Sequence, residues 1–305
     1  MGKAQVEQLV ANLFPGSAGW QLLVRADWQP DHRSSYDWLC ERTDQPVKVS
    51  VAELSWVGEA MGSLERSILR ADPVCLVPNR EHLTMLPPSS LAVSVAEASD
   101  LIDELNLHFS ADPISFKFSS PDRWYALCEQ PPGIVTTPLS QAVGQNLQQL
   151  LPAGPQRAQW HNWWNEIQML FHSHPVNQLR ETRGMPMINA VWFWGEGERP
   201  RQAARAWTHI FTESDIGRGL GSLTGASIHP VSPDYSSVLA ENTGQALLLL
   251  DDDYVIDMAM LGPVLLTWLK QSSQHELYLF LDGIGAYSLR RSSLNKFWRR
   301  KLAGI

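Results

Sequence analysis

The run Leu247-Leu248-Leu249-Leu250 stops at Asp251-Asp252-Asp253. A short, wholly apolar run bounded by polar residues predicts a strand buried on both faces. Leu277 to Leu281 repeats the pattern, and Asp257 to Leu269 between them predicts a helix. Strand, helix and strand in that order point to parallel pairing in an α/β layer. The expected fold class is therefore α/β, with a mixed, mostly parallel sheet flanked by helices.

The rest of the chain fits such a layer with one departure. Val6, Leu9, Val10 and Leu13 stand at helical spacing, and the helix they predict ends at Pro15-Gly16. Gln21 to Val24 and Val47 to Leu54 read as strands, with Arg33 to Tyr36 and Asp44 to Pro46 as polar connections. From Pro73 the pattern changes. Val74 to Val77 with Leu83 to Leu86 predicts a hairpin. Ser94 and Glu97 have capping-box spacing ahead of the stripe Ala98, Leu101, Ile102 and Leu105. Ile114 to Phe118 and Trp124 to Cys128 flank a Ser119-Ser120-Pro121-Asp122 turn as a second hairpin. Residues 71–129 thus read as a small α+β domain inserted into an α/β core of residues 1–70 and 130–305. Within that core, Trp160, Trp163, Trp164, Ile167 and Phe171 mark one amphipathic helix. Ala190 to Trp194 and Ile228 to Val231 read as strands, Gln202 to His209 as a helix, and Arg290 to Lys301 as a basic helix.

Composition excludes several functions. No apolar run reaches the roughly 18 residues that predict a membrane span. The polar, amphipathic first segment does not read as a signal peptide, so none is expected, and Val6 stands where a myristoylation motif needs Ser or Thr. Cys40, Cys75 and Cys128 are odd in number and widely spaced, which suits reduced thiols in a cytoplasmic protein. A net charge of -8 argues against nucleic acid as a partner. The 13 tryptophans are the oddity, and they are expected in a core or a subunit interface such as a homodimer's, with a stacking site for a ligand as the alternative.

The stretch HPVNQLRETRGMPMINAVWFWGEGERP, from His174 to Pro200, carries a resemblance. It is similar to the archaeal-type cofactor-independent phosphoglycerate mutases of the alkaline phosphatase superfamily. Their pattern is His-Pro-(Val/Ile)-Asn, an Arg three residues on, Gly-x-Pro, x-Asn, and an Arg-Gly-x-Gly turn. His174, Pro175, Asn177, Arg180, Gly184, Pro186, Asn189, Gly195 and Gly197 match it, and Trp194 replaces the Arg. Thr136 to Leu139, Val143-Gly144 and Ile216 to Gly225 extend the likeness more weakly. Asn189 to Gly195 also carries an Asn-Ala-x-Trp-Phe-Trp-Gly signature of a proteobacterial subgroup, whose members are named either as mutases or as regulatory proteins.

The resemblance implies a degenerate alkaline-phosphatase-like core. The enzymes it points to use two cations and a serine nucleophile. Their pattern has an early Asp-Gly, Gly-Ser-Asp-Thr-Ala-His, Asp-x-x-x-His and Gly-Asp-His-Ser. This sequence has no Ser-Asp-Thr, no His after Asp251-Asp252-Asp253, and Leu281-Asp282-Gly283-Ile284 where Gly-Asp-His is expected. The expectation is a catalytically degenerate, mutase-like protein with a regulatory or scaffolding role and no cofactor. Its partner would be another protein or a small phosphorylated or anionic metabolite. An anion pocket would draw on His174, Asn177, Arg180, Asn189, Trp194, Gly195 and Arg199, because guanidinium forks and amides suit phosphate. The alternative is an active metal-dependent mutase or phosphatase, with manganese held by Asp251 and Asp282. His172 and His174 point apart on a helix, so His174 is expected to fix the turn. Gly217, Gly219 and Gly221 either cradle phosphate or allow close helix packing. Arg183 and Arg201 add charge around the motif.

Overall fold

The computed structural model describes residues 27–29, 35–43, 48–62, 64–78, 82–202, 207–235, 245–250, 258–273, 275–281 and 285–295. In chain order its elements begin with β1 (Asp27–Gln29), α1 (Ser35–Arg42), α2 (Val51–Gly58), β2 (Ser67–Pro78) and β3 (Leu83–Leu86). There follow α3 (Val95–His108), β4 (Ile114–Ser120), β5 (Arg123–Cys128), α4 (Leu139–Ala142), α5 (Arg157–His172), α6 (Pro175–Thr182) and β6 (Ala190–Trp194). The last are β7 (His209–Thr212), α7 (Asp215–Thr224), β8 (Ser227–His229), β9 (Ala246–Leu249), α8 (Met258–Gln271), β10 (Glu276–Leu281) and β11 (Gly285–Arg290). No described helix is long and apolar enough to cross a membrane.

The chain divides into two compact units. One comprises Gln45–Gln202 with Asp215–Leu223. Its sheet has β2 at the centre, antiparallel to β3, β5 and β6, with β4 antiparallel to β5. Both hairpins and the capping box form as the sequence predicts: Ser94 accepts from the Glu97 N–H while the Glu97 carboxylate accepts from the Ser94 N–H. β6 pairs with β2 from Arg70↔Trp194 to Val74↔Ala190, so the strand inside the His174–Pro200 stretch belongs to the same sheet as the two hairpins.

The tryptophan-rich helix α5 faces this unit's core. Trp160, Trp163, Trp164, Ile167 and Phe171 are all buried. Each indole brings an N–H that usually finds an acceptor when buried. Trp160 donates to Pro132 O at 2.9 Å, Trp164 to Val191 O at 2.9 Å, and Trp192 of β6 to Thr137 O at 2.9 Å. These rings fill volume and also cap carbonyls of strand and loop backbone.

Of the strand predicted over Val47 to Leu54, Val47 lies outside the described residues and Val51 to Leu54 are helix. Ser50 caps α2 by accepting from the Glu53 N–H at 3.1 Å. Val49 alone forms a β-bridge, parallel to Glu198. Val49 is buried ahead of the cap and Val51 on the first helical turn, so their alternation reflects burial and not a strand. α7 crosses α2 at very short range: a Cβ on Gly219 would lie 1.8 Å from Leu54 O. The close-packing reading of the glycines therefore holds at Gly219, which sits inside a helix and not in a phosphate-cradling loop. Gly219→Ala is expected to destabilise the protein by about 1–3 kcal/mol through overpacking. A denaturant midpoint equal to the parent's would contradict that contact.

The other unit comprises Met1–Asp44, Ala203–Ser214 and Thr224–Ile305. β1, β11 and β10 form an antiparallel sheet in that order, and β8, β7 and β9 a parallel one. The fold is thus mixed α/β, but among the described strands parallel pairing is confined to the three-stranded sheet. β9 lies at an edge of that sheet, and Leu247, Leu248 and Leu249 are only half-buried. β10 exposes Tyr278. Among the described strands both lie at sheet edges, and Leu247 to Leu249 are not buried on both faces. His209 begins a strand where a helix is predicted, Ser35 and Tyr36, from the expected Arg33–Tyr36 connection, open the helix Ser35–Arg42, and Arg291–Asn295 is a 3-10 turn after β11 in place of the start of a basic helix. The N-terminal helix, the Gln21–Val24 strand, Cys40's side chain, and Lys296 to Lys301 lie outside the described residues.

Candidate functional site

The residues singled out in the His174–Pro200 stretch are held by internal partners. His174 caps α6, its Nδ1 accepting from the Val176 N–H at 3.2 Å, and Pro175 takes the first helical position. This is the turn-fixing role expected of His174. Asn177, buried on the next turn, donates to Phe171 O and Ile188 O at 2.7 Å each and accepts from the Ile188 N–H at 2.8 Å. It ties the end of α5 to the segment entering β6. Arg180 is 0% exposed. Its Nε donates to Pro186 O at 2.7 Å, Nη1 meets the Glu97 carboxylate at 3.0 Å, and Nη2 donates to Leu91 O.

Asn189 imitates a strand residue. Its side chain accepts from the Leu76 N–H at 2.6 Å and donates to Leu76 O at 3.0 Å. Trp194 donates to the Asp72 carboxylate at 2.7 Å and lays its ring 5.2 Å from the Arg70 guanidinium. Gly195 has φ +84°, and its carbonyl accepts from the Ser50 hydroxyl and the Ala52 N–H. A Cβ there would press on Ala52 N at 3.0 Å, so the left-handed turn and the close approach to α2 both call for glycine. Arg199 pairs with Glu53 at 3.2 Å, and its side chain is 54% exposed. The groups are directed to separate partners: Asn177 and Arg180 to the backbone around Pro186 and Ile188, Asn189 to β2, Trp194 to Asp72, and Arg199 to α2.

Behind this stretch lies a buried charged cluster that the sequence reading missed. Arg70 and Asp72, both on β2, form a forked pair with Nη2–O distances of 2.8 and 3.0 Å. Arg70 also reaches Asp215, at the start of α7, at 3.3 Å. Asp215 accepts from the Ser55 hydroxyl and meets Arg123 at 3.2 Å. Arg123 and Tyr125 in turn hold Glu59, at 2.5 and 2.8 Å. Asp72 is 0% exposed. Burial disfavours the Arg70 cation, but Asp72 and Asp215 outweigh it and raise the guanidinium's pKa. Burial likewise pushes the Tyr125 phenol up. For Asp215 the burial penalty is overcome by Arg70 and Arg123, which hold its carboxyl below the usual value. The signal in the sequence was two charges within the apolar run Ile68-Leu69-Arg70-Ala71-Asp72, since unpaired charges do not stay buried.

A depressed carboxyl sets a pH dependence. Stability from Asp215 is fully present above the unfolded carboxylate value of about 3.9 and is lost as pH falls through its lower folded value. Unfolding free energy should therefore decline below about pH 4, and Asp215→Asn should flatten that slope in urea titrations at successive pH values. An unchanged slope in the variant would remove Asp215 as a contributor.

Among the described residues no group of three or more His, Cys, Asp or Glu side chains could hold a metal. Asp251, Asp252, Asp253 and Asp282 lie outside the described residues. His172 ends α5 and lines an open depression of about 340 Å³ with Gln168, Met169 and Asn189.

No family model matches the chain. A probable 2,3-bisphosphoglycerate-independent phosphoglycerate mutase of Geobacter sulfurreducens is 25% identical over 185 residues, covering 59% of this chain and 46% of that protein. The corresponding mutase of Methanosarcina barkeri is 24% identical over 161 residues, covering 50% of this chain and 40% of that protein. The chain thus spans less than half the length of these relatives. A solved cofactor-independent phosphoglycerate mutase from Thermoplasma acidophilum superposes with a TM-score of 0.38 at 13% identity, over 92% of this chain and 83% of that one. The sequence similarity to phosphoglycerate mutases of this type covers half of the chain or somewhat more.

Proposed function

We propose that this chain is a phosphoglycerate-mutase-like protein that has lost phosphotransfer and acts in regulation or as a scaffold, through a protein partner or a small anionic metabolite. One observation carries the reading. The polar residues of the mutase-like stretch are spent on internal bonds, with Arg180 fully buried against Glu97 and two carbonyls. Trp194, standing where the resemblance implies an arginine, is likewise turned to the buried Asp72. A phosphate would need those donors facing solvent. Arg199, the exposed cation of the set, is the candidate for any anion contact. The setting proposed is cytoplasmic, without a resident cofactor and with self-association as a homodimer.

The test is direct. With manganese added, the purified protein should neither isomerise 3-phosphoglycerate nor hydrolyse an aryl phosphate. Turnover that disappears in Asp282→Asn or Asp251→Asn would overturn the proposal. It would establish the second reading, an active metal-dependent mutase or phosphatase, which the similarity to enzymes of that name favours.

A further inference from the structure

We draw no further inference here: the strongest candidate, the His209–His229 imidazole pair on the adjacent strands β7 and β8, is joined by a 3.1 Å hydrogen bond, and no third ligand for a metal ion stands beside it among the described residues.

Discussion

Arg70→Leu is expected to destabilise the protein by about 3–5 kcal/mol, the loss typical of removing one partner from a buried ion pair. The substitution leaves Asp72 with the Trp194 indole as its remaining close donor, and Asp215 with Arg123 and Ser55. Both carboxylates are buried, so water cannot replace the guanidinium. The partner carries as much of the effect as the arginine does. In the double variant Arg70→Leu/Asp72→Leu only part of the lost stability should return, because apolar side chains replace the Arg70–Asp72 pair at little cost but Asp215 still lacks Arg70 and the Trp194 N–H loses its acceptor. Urea or guanidinium unfolding of the parent, the single variant and the double variant decides the matter. A single-variant loss below about 1 kcal/mol would mean that the cluster is not a desolvated ionic network, since that is the range of exposed pairs.

Arg180→Leu should cost a comparable amount, about 3–5 kcal/mol, for a different reason. Its guanidinium serves three acceptors at once: Pro186 O, Leu91 O and the Glu97 carboxylate. Leucine fills part of the volume but leaves two carbonyls without a donor, each costing about 1–3 kcal/mol when buried. Glu97 is partly exposed and keeps its capping bonds from Ser94, so its share is smaller. Lysine should rescue only part of the loss, because one ammonium cannot reproduce the planar fork. Arg199→Ala is the contrasting variant. It removes an exposed partner of Glu53 and should change stability by less than about 1 kcal/mol. If Arg180→Leu instead unfolded at the parent's midpoint, the buried arginine would not be a brace. A ligand-facing role for it would then regain weight.

These two arginines mark the boundary of what a linear reading could reach. For Arg180, motif position and chemical type alone point to an anion pocket. A guanidinium suits a phosphate and a ring of carbonyls equally well. Which of them it meets depends on whether the preceding helix turns it toward solvent or toward Leu91 and Pro186, residues remote from it or folded back on it. Arg70 was not noticed, although a charge between Leu69 and Ala71 on an apolar strand signals a buried partner. Sequence shows that a partner must exist. It does not show that the partners are Asp72 and, 145 residues away, Asp215.

Local order was more legible. The two hairpins, α3 with its reciprocal cap, and the buried face of α5 follow from turn residues, capping spacing and apolar periodicity. α2 was missed for a specific reason. Ser50-Val51-Ala52-Glu53 has the same cap spacing as Ser94 and Glu97, but Val47, Val49 and Val51 also alternate as in a strand. The Ser50 cap decided for the helix, helped by close contacts with Gly195 and Gly219. The leucine runs failed in the opposite way. Apolarity established them as strands, but pairing placed β9 at an edge and exposed part of β10. Sequence by itself determined the small elements and the similarity to phosphoglycerate mutases, because caps, turns and motif order act over a few residues. Tertiary structure alone decided which polar groups stay available for chemistry. A donor's fate depends on acceptors brought to it by packing, and in the described mutase-like stretch packing has supplied an internal partner for almost every one.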